Sequence, residues 1–265
     1  MRLLFIGDIV GKPGREMVRE VLSRLVREQA IDAVVANAEN AAGHAGLTPA
    51  VARELLEAGV DVITLGDHAW DRKELLPAID ELTAVVRPAN YPPGVPGQGW
   101  LVKELPNGLR LGVVNLLGRV FMRVQADDPF RKADEVLAEM AGRADVVLVD
   151  FHAEATSEKA ALGWYLDGRV SAVLGTHTHV QTADERILPG GTACLSDAGM
   201  TGPSESVLGV ETSLALERFL TQMPVRFEVA RGPRQFCAAV VDVEPESGRA
   251  TAIRRIFLRE NAQGA

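Results

Sequence analysis

The sequence predicts an α/β fold in which two sheets pack against each other with helices outside. Three observations carry that expectation. Up to about residue 180, short apolar runs alternate with helical patterns: RLLFI, DAVVANA, VDVITL, LRLGVVNLL, DVVLVDF and VSAVL are each followed by a polar loop, the signature of parallel strand–helix units. From residue 186 the texture changes to strand candidates with no helix between them, RILPGGTACLS, PVRFEVA, RQFCAAVVDVEP and ATAIRRIFL. They suggest an antiparallel or mixed sheet laid against the first. No linker or low-complexity tract divides the 265 residues, of which 47% are hydrophobic and 24% charged, so one domain over 1–265 is expected.

Each element has its own justification. RLLFI reads as a buried strand, and Pro13 fits the first turn of a helix. The helical stretch PGREMVREVLSRLVREQ puts Met17, Val21, Leu22, Leu25 and Val26 on one face. In TPAVARELLEAG, Thr48 is the expected N-cap, Pro49 the first helical residue and Gly59 the stop. VDVITLGDH is the third strand, and KELLPAI a helix capped by Asp71 with Glu74 completing a capping box. RPANYPPGVPGQGW carries too much Pro and Gly for anything but a long irregular loop. DPFRKADEVLAEMA and SEKAALGWYLD are helix candidates, and Gly190–Gly191 a hairpin turn.

Charge and composition exclude some roles. With 36 acidic against 28 basic residues and net charge −8, no basic stripe for duplex nucleic acid is expected. A small anion could still bind where a bound cation reverses the local field. The opening MRLLFIGDIV is too short for a signal-peptide core, and no window of eighteen apolar residues occurs. A cytoplasmic protein without a membrane partner is therefore expected. Cys194 and Cys237 sit in strand-like contexts where buried free thiols are common.

Polar residues gather where the strands of the first series end. Asp8 follows RLLFI, Glu39 and Asn40 follow AVVANA, Asp67 and His68 follow VITLG, His152 closes VVLVDFH, and GTHTH presents His177 and His179. Strand ends of one parallel sheet share its carboxyl edge, where ligands bind in open α/β folds. Singly, each residue has a plain structural role: Asp8 in a turn, Asn40 as a cap, His152 as a hydrogen-bonded histidine. Together they place four of the five histidines and several carboxylates on one edge, and that coincidence indicates a site. Were GTHTH still extended, residues 177 and 179 would share a face. His44, in the glycine-flanked loop AGHAGLT, is the remaining histidine and has no spacing tying it to the others.

Carboxylate, amide and imidazole donors without thiolate suit manganese, iron or zinc ions. More than four candidates, with one carboxylate shared, fit two ions about 3.5–4 Å apart, an arrangement that supports phosphoester hydrolysis.

The ordered motifs FIGDIVGKPGR, NAENAAG, TLGDHAWD, NLLGRVFM, DFHAEATSEK and GTHTHVQTAD resemble the calcineurin-like metallophosphoesterase superfamily, and within it the YmdB-like bacterial phosphodiesterases. The similarity runs to about the GMTGP segment. It implies a four-layer αββα sandwich of two mixed sheets flanked by helices. It also implies two metal ions, iron or manganese with zinc as a third choice. Asp8, Glu39, Asn40 and His179 would hold one ion. Glu39, Asp67, His152 and His177 would hold the other, so that Glu39 bridges and the two histidines of GTHTH serve different metals. The implied reaction is attack of a metal-bound hydroxide on phosphorus, with His68 as proton donor, on small phosphoesters and chiefly 2′,3′-cyclic nucleotides.

Two features depart from the wider pattern. The D-x-H histidine of the first motif is missing, which fits the use of Asn40. Asp67 stands where Asn is usual, adding negative charge to one metal site and removing an amide donor. Arg119, in NLLGRV, is a candidate phosphate contact as well as a candidate surface residue. A nucleotide-sensing regulatory module is the rival from another class, but a sensor has no need of a proton donor such as His68. An RNA nuclease is the other, and the acidic balance opposes it. The strand-rich C-terminal segments could close the sandwich or mediate assembly into a homo-oligomer.

Overall fold

Strand β1 (Arg2–Ile6) sets the architecture because both of its faces are covered. Leu4 and Ile6 enter one apolar cluster, while Leu3 and Phe5 enter another, as alternating side chains of a central strand must. The computed structural model describes residues 1–260; the last five residues of the expected 1–265 domain lie outside it. After β1 come β2 (Asp8–Ile9), α1 (Gly11–Gln29), β3 (Ala33–Asn37), α2 (Pro49–Glu57), β4 (Val62–Thr64), β5 (Val85–Val86), β6 (Trp100–Glu104) and β7 (Arg110–Leu117). The chain continues through α3 (Pro129–Met140), β8 (Val146–His152), α4 (Thr156–Tyr165), β9 (Ala172–Thr176), β10 (Arg186–Ile187), β11 (Ala193–Leu195) and β12 (Met200–Pro203). It ends with α5 (Thr212–Thr221), β13 (Arg234–Glu244) and β14 (Arg249–Arg259).

Two mixed sheets form. One runs β2-β12-β13-β1-β3-β4-β5, with β14 also paired to β13; the other runs β10-β11-β9-β8-β7-β6. Leu3, Phe5 and Val35 meet Val113, Leu148 and Leu174 between the sheets. Met17, Val18 and Leu22 of α1, with Ala52 and Leu55 of α2, cover the outer face of the first sheet. Ala133 and Val136 of α3 and Leu162 of α4 cover the second. The molecule is thus the four-layer αββα sandwich expected.

The sheets divide differently from the sequence expectation. The strand series up to β9 is split between them, and the C-terminal strands do not make a sheet of their own. β13 enters the first sheet antiparallel to β1, with Phe5 opposite Ala239, while β3 lies parallel on the other side, with Phe5 opposite Val35. Apolar periodicity marks a buried strand but carries no information about its partner.

Three local expectations are corrected. PVRFEVA is not a strand: β13 is already paired with β1, β12 and β14, and Val229 makes only an isolated bridge to Val210. A helix, α5, precedes it where none was expected, with Ala215 its one buried residue. KELLPAI forms turns leading to a 3-10 segment at Ile79–Glu81, consistent with Pro77 breaking the helical ladder. Helix α1 starts at Gly11 and carries Pro13 in its first turn, as expected. The Thr48 cap is present, accepting from the Val51 amide at 3.3 Å, and Gly59 has the left-handed φ of 106° that suits a helix stop. Gly190–Gly191 turns β10 into antiparallel β11. Both cysteines are free thiols, each pushed up to about 12 by burial. No helix among the described residues is long and apolar enough to cross a membrane.

Candidate metal centre

All seven expected ligand positions reach the same mouth of the sandwich, three strand ends coming from the first sheet and two from the second. Asp8 lies in β2, paired with Met200 of β12. Glu39 and Asn40 follow β3, and Asp67 and His68 follow β4. His152 is the last residue of β8, and His177 and His179 follow β9. The edge is therefore composite, made by two sheets whose carboxyl ends face one opening.

On one side, Glu39, Asp67, His152 and His177 offer ligand atoms that all lie within 4.8 Å of one another. His152 Nε2 is 3.1 Å from Glu39 Oε1, 3.3 Å from Asp67 Oδ1 and 3.0 Å from His177 Nδ1. Its other nitrogen is tied down: Thr176 Oγ1 donates to Asp150 Oδ1 at 2.7 Å and so accepts from His152 Nδ1–H at 2.8 Å. That assigns the tautomer and leaves Nε2 facing two carboxylates and a second imidazole, a convergence of acceptors that calls for a cation, either a proton or a metal ion. Charge behaves accordingly. Burial opposes ionisation of both Glu39 and His152, but their mutual attraction wins, holding the Glu39 carboxyl below its usual range and the imidazole well above its own. Asp67 is likewise held far down: burial opposes this, but hydrogen bonds from His152 and His177 outweigh it.

On the other side stand Asp8, Asn40 and His179. His179 Nδ1 donates to Leu208 O at 3.0 Å, so its Nε2 carries the lone pair, 3.8 Å from Asp8 Oδ1 and accepting from Asn40 Nδ2 at 3.3 Å. Asp8 Oδ1 and Asn40 Oδ1 are buried oxygens without a hydrogen-bond partner among the described residues. Buried acceptors are almost always satisfied, and an unmet pair beside an imidazole lone pair fits a cation. Burial pushes the Asp8 carboxyl up, with the nearby His179 opposing. The donors present therefore fit a metal ion on each side of Glu39.

The backbone at GTHTH corrects the extended reading. β9 ends at Thr176, and His177 and His179 have φ of 102° and 64°. They share no strand face; His177 turns toward Asp67 and His152, and His179 toward Asp8 and Asn40.

His68 is tied to the cluster through its backbone, which donates to Glu39 Oε2 at 2.9 Å. Its Nδ1 lies 2.7 Å from Asp71 Oδ2 and 3.2 Å from Arg123 Nη2. The two contacts compete, since a nitrogen bearing hydrogen cannot accept from a guanidinium. The shorter, carboxylate contact fixes Nδ1–H. Arg123 is then held by Asp67 O at 3.1 Å and Asp71 Oδ1 at 3.4 Å. Asp71 is thus no helix cap but the partner of His68.

Arg119 pairs with Asp128 at 3.2 Å, and it is Arg123 that the fold brings beside Asp67, at 3.6 Å. His44 is exposed in its loop, its basicity lowered by partial burial and by the charges of His68 and Arg72. Sequence reasoning missed Asp71, Arg123 and the polar layer behind His152. There Asn37 Nδ2 and Thr64 Oγ1 of the first sheet donate to Asp150 Oδ2 of the second, and burial raises the Asp150 carboxyl to about 6. A signal existed: Asn37, Thr64, Asp150 and Thr176 are polar residues inside otherwise apolar strand runs.

The family described as YmdB-like protein matches residues 4–256. A protein of Bacillus subtilis (strain 168), named 2′,3′-cyclic-nucleotide 2′-phosphodiesterase, is 50% identical over 261 residues, which cover 98% of each chain. A solved structure of a hypothetical protein from Thermus thermophilus superposes with a TM-score of 0.91 at 48% identity, covering 98% of this chain and 100% of that one. Another, of a novel phosphatase from Mycoplasma pneumoniae, gives 0.92 at 34% identity, covering 99% and 95%. With its sequence matched nearly end to end and its sandwich superposed on two solved relatives, the chain belongs to the YmdB-like family.

Proposed function

We propose that this centre binds two metal ions, iron or manganese in preference to zinc, and hydrolyses phosphoesters, with 2′,3′-cyclic nucleotides as its substrate class. One observation carries the reading. Glu39 shares a four-donor group with Asp67, His152 and His177, and its Oε1 accepts at 3.1 Å from Asn40, a member of a second group in which the Asp8 and Asn40 oxygens are buried without partners. Asp8, Glu39, Asn40 and His179 would hold one ion, and Glu39, Asp67, His152 and His177 the other. The name of the Bacillus subtilis relative supports the substrate class. Such ions would supply Lewis acidity and lower the pKa of a bound water.

The rest of the chemistry belongs to the chain. Thr176 and Leu208 fix the outer nitrogens of His152 and His179, so each presents Nε2 inward without rotamer search. The extra charge of Asp67 is balanced in part by Arg123. Hydrolytic opening of a 2′,3′-cyclic phosphate at the 2′ position joins a water oxygen to phosphorus, breaks the P–O2′ bond and leaves an alkoxide that needs a proton. His68 supplies it, with Asp71 stabilising the imidazolium that donates. Arg119, a candidate phosphate contact, is paired through one guanidinium nitrogen with Asp128. The free cysteines fit a cytoplasmic setting.

The test is to strip the protein with chelator, restore Mn²⁺ or Fe²⁺, and follow hydrolysis of cyclic nucleotides and aryl phosphates. Turnover should vanish and return with the ion, with the highest kcat/KM on 2′,3′-cyclic nucleotides. Turnover that survives chelation, or none on any ester, contradicts the reading.

A further inference from the structure

The left-handed backbone at His177 and His179 is disfavoured for residues with a side chain, and it persists only where the surroundings enforce it. His177 donates its own backbone N–H to Asp8 Oδ2 at 3.1 Å, and the rest of the enforcement falls on the residue between the two histidines. Thr178 donates its backbone N–H to Asp197 Oδ2 at 3.0 Å and its hydroxyl to the same oxygen at 2.8 Å. Asp197 Oδ1 accepts from the Gly199 amide at 2.9 Å, and the Asp197 amide donates to Thr182 Oγ1 at 2.9 Å. A third bond reaches Oδ2 from Lys159 Nζ, at 2.8 Å. The side chains of Lys159 and Asp197 are 4% and 1% exposed, so this is a buried ion pair whose carboxylate is saturated with donors.

Lys159 sits in the first turns of α4, and the residue before it is also a buried charge. Glu158 accepts from the backbone amides of Arg119 at 3.0 Å and Val120 at 3.2 Å. Two adjacent buried charges of opposite sign on one helix thus grip two different loops at the mouth of the sandwich. Fold stability alone does not explain the Lys159–Asp197 pair, because an apolar pair of similar volume commonly serves a core as well as a buried ion pair does. What an apolar pair could not do is hold Thr178 at both its amide and its hydroxyl.

We propose that the Lys159–Asp197 pair is a positioning device for the metal centre: by anchoring Thr178 it holds the turn that sends His177 and His179 to opposite sides of Glu39. This rests on the metal reading given above. Neither residue touches a metal or substrate; both act through the two histidines. Removing the pair frees the turn to relax toward ordinary backbone, which withdraws one imidazole from each side.

The test uses the full chain carrying Lys159→Met together with Asp197→Leu, which removes both buried charges at once and leaves Thr178 without its acceptor at similar side-chain volume. Mn²⁺ binding is titrated on the stripped protein, and the spin-coupled electron paramagnetic resonance signal of the manganese pair is recorded. The variant should keep the wild-type circular dichroism, bind Mn²⁺ about 10- to 100-fold more weakly and show an altered or lost coupled signal. A folded variant that binds two ions with wild-type affinity and an unchanged signal overturns the positioning role. Thr178→Val, which removes the hydroxyl bond and touches neither charge, should weaken Mn²⁺ binding several-fold. It decides the matter alone if the double variant does not fold, unchanged affinity then overturning the proposal. A wild-type chain that takes up no Mn²⁺ overturns the metal reading itself and this proposal with it.

Discussion

A methyl group on residue 66 would overlap both Glu39 Oε2 and the His152 ring, so only glycine lets the third strand end pass close enough for Asp67 to join the cluster. The glycine of the GDH motif is a packing requirement of the site, and the motif is legible because its reason is local. The same holds for the other residues gathered there, each lying next to an apolar run whose end it marks. Asp71 is the counterexample. Its spacing to Glu74 imitates a capping box, and only the turn that replaces the helix brings it 2.7 Å from His68. Arg123 approaches across 55 residues of chain, a distance that no motif spacing encodes. The roles of His68 and Asp71 make a prediction at this scale. His68→Ala should lower kcat by about 10²–10⁴-fold while the metal content of the purified protein stays at the wild-type level, and Asp71→Asn should lower it less. Loss of metal in His68→Ala, read by elemental analysis, would mean that His68 belongs to the ligand set instead.

Among the elements, β13 shows most clearly what a sequence withholds. Its run QFCAAVVDV is plainly a strand, yet its position beside β1, joining residues 5 and 239, follows from shape and burial across the whole chain. Helix α5 went unseen for a different reason. Leu216, Phe219 and Leu220 are exposed, at 51%, 71% and 82%, so its apolar residues do not mark a buried face as those of α1 do. The central place of β13 predicts its energetic weight. Phe236 is fully buried under the outer layer of the first sheet, and Phe236→Ala should cost about 3–5 kcal/mol, measurable as a lower urea midpoint. A cost below about 1 kcal/mol would show that β13 is peripheral to the core.

The whole molecule joins two sheets at one mouth through Glu39 and Asp67 from one side and His152 and His177 from the other. Away from that mouth, ion pairs tie distant parts of the chain together. Arg234 reaches Glu260 at 3.0 Å and Glu20 at 2.7 Å. The Arg234 hydrogen bond holds the Glu260 carboxyl below its usual value, with burial opposing it. A lowered folded-state pKa means that the stabilisation is complete above the unfolded value near 4.5 and is lost as pH falls through the lower folded value. The Tm deficit of Arg234→Gln should therefore be present at pH 7 and disappear toward pH 3 in a thermal melt series. A deficit that is constant with pH would assign the effect to lost packing.

The claim on which the functional reading depends is that Glu39 stands between two ions, with the histidines of GTHTH on different ones. Anomalous diffraction at the manganese edge, from crystals of the full chain soaked in Mn²⁺, tests it most directly. The account predicts two peaks about 3.5–4 Å apart, with His177 on the ion shared with Asp67 and His152, and His179 on the ion shared with Asp8 and Asn40. A single peak coordinated by both imidazoles, or no peak in this cluster, would contradict it.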